Sequence, residues 1–143
     1  MRYALDKKQR GAPLMGRRKP KLDCGLKGFL ALPRALMEHP DFRELTPSAT
    51  KVLMVLGCQY NGKNNGDLAA TATMMKPWGG MAKGTLAKAL RELQARRIIY
   101  KTRYHRRGAD GAKPTLYALS WLDIDPCPGK QLDEVSYAQR SLR

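Results

Sequence analysis

The stretch Met81-Ala-Lys-Gly-Thr-Leu-Ala-Lys-Ala-Leu-Arg-Glu-Leu-Gln-Ala-Arg-Arg-Ile-Ile-Tyr100 changes its apolar period part-way along, and that change sets the fold. Leu86, Ala89, Leu90 and Leu93 recur at i, i+3, i+4 and i+7, a stripe that predicts one helix over 82–97 with a buried face. Gly84, Ala87, Lys88, Arg91 and Ala95 fall on the other face, which is therefore small and basic. From Ile98 to His105 the residues become β-branched and aromatic, as they do again from Thr115 to Trp121, so both segments read as strands. The residues between, 106–114, carry two glycines and a proline and predict a hairpin with a long basic tip.

Upstream, Thr46 is a good N-cap and Pro47 suits the first helical position. Val52, Leu53, Val55 and Leu56 then give a wide apolar face to a helix running to Tyr60. Pro33 opens a shorter helix that should stop before Pro40. The stretch Asn61-Gly-Lys-Asn-Asn-Gly-Asp67 reads as a turn-rich loop, and Leu68 to Ala70 as a short strand. Thr71 caps a brief helix over 72–75 that Pro77 ends, and Trp78-Gly-Gly-Met81 is a tight connection into the long helix. The fold class is therefore α+β, mainly helical, with a two-stranded β-hairpin.

The flanks have a different texture. Residues 1–28 hold nine basic side chains against two acidic ones, with no apolar period, and read as a basic flexible arm that includes Arg17 and Arg18. That arm is either a plain solvated tail or a segment that follows a polyanion. From Asp123 the apolar signal fades, leaving 123–143 as a C-terminal tail with Asp123, Asp125, Asp133 and Glu134.

The whole chain of 143 residues has 27 Lys and Arg against 12 Asp and Glu, a net charge of +15. Such a field concentrates polyanions at the surface and makes nucleic acid or an anionic membrane the leading partner class. No apolar run approaches the ~18 residues of a membrane span and no secretory leader is evident, so a cytoplasmic, non-membrane protein is expected. Cys24, Cys58 and Cys127 lie far apart, with only His39 and His105 as other soft ligands. They are read as reduced thiols, Cys58 in the core, with no metal site. Neither histidine has a neighbouring nucleophile or carboxylate motif, and no phosphate-cradling glycine loop occurs, so no enzyme activity, cofactor or small-molecule ligand is expected.

In order, the elements are helix, helix, short strand, short helix, glycine turn, long helix and hairpin. Residues 81–100 resemble the recognition helix and first wing strand of bacterial winged helix-turn-helix regulators. In those families a threonine near the helix start precedes a leucine stripe and a strand, here Thr85, then Leu86, Leu90 and Leu93, then Ile98. The loop from Asn61 to Leu68 is similar to one found in helix-turn-helix proteins of phages and plasmids, including replication initiators. The resemblance covers about residues 29–121 and places a winged-helix domain at 29–122. It departs at Ala82, where a serine cap is usual, and at Arg96-Arg97, which stand where a glycine is usual.

Residues 83–113 hold ten basic side chains against two acidic ones, more than half of the excess charge. A major groove about 12 Å wide admits one helix. Lys83, Thr85, Lys88 and Arg91 are therefore the candidates to face double-stranded DNA, with Lys88 and Arg91 as base readers. Arg103, Arg106, Arg107 and Lys113 in the hairpin are candidates for the minor groove or its phosphates, the alternative being that they keep an exposed ribbon from edge pairing. The expected function is that of a sequence-specific DNA-binding repressor of a mobile element, acting as a homodimer on two half-sites. A replication or partition initiator binding origin repeats shares the same features. An RNA-binding protein is the alternative of another class, although Trp78, Tyr100, Tyr104, Tyr117 and Trp121 occupy positions that suit a packed hairpin better than base stacking.

Overall fold

A computed structural model describes residues 28–108, 111–130, 132–133 and 139–142. Among them the chain forms a small α+β structure of five α-helices and two small antiparallel sheets. The helices are α1 (Arg34–Met37), α2 (Pro40–Arg43), α3 (Pro47–Gln59), α4 (Ala72–Met75) and α5 (Lys83–Ala95). The strands are β1 (Ile99–Arg103), β2 (Arg106–Gly108), β3 (Gly111–Lys113) and β4 (Leu116–Leu119).

Helices α3 and α5 pack against each other and supply eight of the eighteen buried residues of the core cluster among the described residues. Ala49, Val52, Leu53, Val55 and Leu56 of α3 are buried, as are Leu86, Ala89 and Leu93 of α5. The α3 start is built as its sequence suggests: the Thr46 hydroxyl accepts from the Ala49 N–H at 3.2 Å, and Pro47 follows where no intrahelical N–H is needed. Cys58 does not share this core. It is exposed, because it lies on the far side of α3 from Leu56.

The helix after Pro33 stops at Met37, before Pro40 as expected, and a second one-turn helix follows it. Pro40 opens α2, with the His39 Nδ1 accepting from the Asp41 N–H at 3.0 Å as its cap, because a proline that stops one helix is equally suited to the first position of another. Pro77 behaves similarly: α4 ends at Met75, and Pro77 sits in a 3₁₀ turn over Lys76–Trp78 that Gly79 closes at φ 95°.

β1 and β4 pair antiparallel, from Ile99 opposite Leu119 to Arg103 opposite Leu116, with Thr102 bulged between Lys101 and Arg103. The expected loop of 106–114 is largely a second ladder, β2 with β3, in which Arg106 faces Lys113 and Arg107 faces Ala112. The expected strand at 68–70 shrinks to one bridge, Leu68 with Tyr117, beside β4. Ala69 is diverted from it: its N–H and carbonyl bond the Gln59 side chain at 3.1 and 2.6 Å, which ties this segment to α3.

Helix α5 ends in a Schellman turn. The Ile98 N–H reaches the Leu93 carbonyl at 2.9 Å, the Arg97 N–H reaches Gln94 at 3.0 Å, and Ile98 and Leu93 are both fully buried. The turn forces Arg97 to φ 58°, at a helix-end position where glycine, free of a Cβ, is the common residue.

Residues of the supposed C-terminal tail return to the domain. Asn65, fully buried, is the centre of one such closure: its amide donates to the carbonyls of Leu119, Leu122 and Asp123, its oxygen accepts from the Leu119 N–H at 2.7 Å, and its own N–H meets the Asp125 carboxylate at 2.8 Å. Farther on, the Arg140 guanidinium meets the Asp41 carboxylate at 2.7 Å and the carbonyls of Arg96 and Arg97 at 3.1 and 3.2 Å, capping the C-terminal end of α5 from 43 residues away.

Candidate nucleic-acid interface

α5 is fixed from the inside and left open on the outside. Its leucine stripe is clamped to α3, and one polar contact sets its orientation: both oxygens of Glu92 accept from Thr46, from the N–H at 2.7 Å and the hydroxyl at 2.9 Å. This is a capping box built between two helices. The third position of α3 is Ala49, which offers no carboxylate for the Thr46 N–H, so Glu92 of α5 supplies it. Sequence reasoning counted Glu92 only as an opposing charge, and the one available signal was the missing acid at position 49.

On the outer side Lys83, Thr85, Lys88 and Arg91 are all exposed, and none makes a hydrogen bond or ion pair with the described residues. They lie along 83–91 of α5, about two and a half turns, and fan around roughly 200° of the helix circumference, away from its leucine stripe. Gly84 and Ala87 leave that surface low, and a side chain added at Gly84 would meet no atom within 4 Å, so packing within the protein does not require a glycine there. Ala82 caps α5 without a side-chain hydrogen bond, leaving the first N–H groups of the helix open. A cleft of about 240 Å³ beside this face runs between α3 and α5, lined by Thr46, Ser48, Thr85, Lys88, Ala89 and Glu92.

The cations of the window 83–113 do not form one pool. Arg96 is engaged by Glu44 at 2.9 Å and Asp41 at 3.7 Å. Arg103 is a correction to the sequence reading: it is 6% exposed, and its guanidinium donates to the carbonyls of Pro114 and Lys130, both at 2.8 Å. The bulge at Thr102 breaks the alternation of β1 and turns Arg103 inward, where it staples the hairpin to the C-terminal segment rather than facing a ligand. Arg106 is ion-paired with Asp133. Arg107 is exposed and Lys113 half-buried, and neither pairs with a described residue. Lys101 stands 4.5 Å over the ring of Tyr104, itself 63% exposed. Arg17 and Arg18 lie outside the described residues.

Lys51 joins the surface from a place the sequence gave no reason to choose. It projects from α3 so that its Nζ lies 3.5 Å from where a Cβ on Gly79 would be, beside the turn that leads into α5. Elsewhere, no group of three or more His, Cys, Asp and Glu side chains converges among the described residues. Burial, then the carboxylates of Asp67 and Asp125, push the Cys127 thiol above its ordinary value, the opposite of nucleophile activation. Among the described residues no helix is long and apolar enough to cross a membrane.

In comparisons with known proteins, the chain matches no family model, no curated protein and no solved structure.

Proposed function

We propose that the protein binds double-stranded DNA in a sequence-specific manner as a winged helix-turn-helix, with α5 in the major groove and the β1–β4 hairpin, extended by β2 and β3, as the wing. The observation that carries this reading is the outer face of α5: four polar or cationic side chains over about two and a half turns, exposed and unpartnered among the described residues, on a helix whose other face is locked into the core. Facing a duplex, the same face supplies a forked donor at Arg91 for guanine O6 and N7, point charges at Lys83 and Lys88, and a hydroxyl at Thr85. Gly84 and Ala87 let the backbone approach, and the open α5 N-terminus directs N–H groups at phosphate. On this reading Lys51, beside the turn that leads into α5, and Arg107, on the β2–β3 ladder, are further exposed cations for backbone phosphates.

The biological role that fits such a module is a repressor acting as a dimer, since one module buries only ~600–1,000 Å² on DNA and gains affinity from a second half-site. Selection from a random duplex pool at two salt concentrations, with a structured RNA competitor, tests this reading. A defined motif with affinity falling steeply in salt is the expected result. A palindrome favours the repressor, and tandem repeats favour a replication or partition initiator. No enriched motif, or better competition by RNA than by DNA, overturns the proposal.

A further inference from the structure

Asp133 is held on the wing by three contacts. Its N–H donates to the Thr102 carbonyl at 2.8 Å, and its carboxylate accepts from the Tyr104 N–H at 2.9 Å and ion-pairs with the Arg106 guanidinium. The backbone contact lays this residue along the edge of β1 through atoms other than the carboxylate. The carboxylate therefore meets a donor set that exists apart from it.

The register of the second ladder shows why an anion is needed there. Arg106 and Lys113 are direct cross-strand partners, so their side chains leave the ribbon on the same face, an arrangement of like charges that destabilises a hairpin unless something negative lies against it. One guanidinium, one neighbouring ammonium and one backbone N–H form the combination that takes up a two-oxygen anion, and nucleic-acid phosphates are held by such sets.

We propose that Arg106, Lys113 and the Tyr104 N–H form a binding site for one phosphodiester of the DNA backbone, and that the Asp133 carboxylate occupies it as an internal stand-in until DNA displaces it. This rests on the DNA-binding reading above and deepens it. The C-terminal segment is then a competitor for its own wing. Arg106 paired to Asp133 has no condensed counterion relationship with DNA, so the wing contributes less affinity and less salt dependence than its charge count implies.

The test compares DNA affinity across a salt series for the full chain, Asp133→Asn, Arg106→Ala and the double variant, with Asp123→Asn as a charge-matched control at an exposed acid. Asp133→Asn keeps an oxygen for the Tyr104 N–H and removes only the charge, and Asp133→Ser repeats the measurement should the amide variant melt early. Removing the carboxylate is expected to tighten binding about three- to tenfold and to steepen the salt slope by about one. Arg106→Ala should cost little in the natural chain and abolish the gain in Asp133→Asn.

Equal gains from Asp133→Asn and Asp123→Asn, or weaker binding by Asp133→Asn, overturn the inference. If Lys88→Ala and Arg91→Ala weaken binding while the Asp133 variants leave it unchanged, this inference alone fails. If neither the natural chain nor Asp133→Asn binds any duplex, the DNA-binding reading fails and takes the inference with it.

Discussion

Replacing Arg97 by glycine should stabilise the protein, although it deletes a whole side chain and creates no contact. Arg97 closes the Schellman turn at φ 58°, a conformation that costs an L-residue about 1–2 kcal/mol and glycine almost nothing. Glycine returns about 0.5–1 kcal/mol of that through its greater freedom in the unfolded chain. The Arg97 side chain is exposed, and the bonds it joins, to the Gln94 carbonyl and from Arg140, use its backbone, so little else changes. The net gain is about 0.5–1 kcal/mol, or about 2–4 °C in Tm for a domain of this size. Thermal and urea melts of Arg97→Gly beside Arg97→Ala measure it. Alanine removes the same charge and keeps the strain, so it should leave Tm near that of the natural chain. Equal stabilisation by both variants would assign the effect to charge repulsion near Arg96 and Arg140, and no stabilisation by glycine would refute the strain argument.

The buried hub makes the opposite prediction: Asn65→Ala strands the Leu119 N–H and several carbonyls away from water and should lower stability by about 2–4 kcal/mol in urea titration. Arg103 and Arg91 should separate cleanly. Arg103→Ala is expected to lower Tm by undoing the Pro114 and Lys130 staples, whereas Arg91→Ala should stay within about 0.5 kcal/mol of the natural chain and weaken and broaden DNA selection instead. The hydrogen bond from Arg140, aided by the charges of Arg140, His39 and Arg96, holds the Asp41 carboxyl below its ordinary value. Its contribution is therefore complete above about pH 4 and is lost as pH falls through the lowered value. Asp41→Asn should flatten that part of an acid melting series from pH 5 to pH 2.

Local signals in the sequence carried the capped helices α3 and α4 and the striped helix α5, because Thr46, Thr71 and the leucine stripe act over one or two turns. The hairpin was legible for the same reason, through β-branched and aromatic residues on either side of a glycine-rich tip. What escaped was decided at long range. Ala69 left its strand for Gln59, Arg103 turned inward at a one-residue bulge, and Glu92 took the capping place that Ala49 leaves empty. Composition gave no hint that Asp125 and Asp133 are partners rather than parts of a solvated tail, since their targets at Asn65, Thr102 and Tyr104 lie 29 to 60 positions back. For the candidate interface, the charge count located α5, but only geometry could sort the cations unpaired among the described residues, Lys83, Lys88, Arg91, Arg107 and Lys113, from those already engaged.

The contact of Arg140 with Asp41 also has a bearing on the order in which the chain assembles. Closed directly in an unfolded chain, a loop of 99 residues costs about 4 kcal/mol of entropy. Once the helices and hairpin have formed through nearer contacts, only the 18 or so residues after Leu122 remain to be spanned, at roughly 2.5 kcal/mol. Closure is thus cheapest as the final step. A ribosome-bound chain that has not yet released Arg140 would hold a core, a hairpin and the Schellman turn of α5, with the Arg96 and Arg97 carbonyls and the Asp41 carboxylate still waiting for their guanidinium.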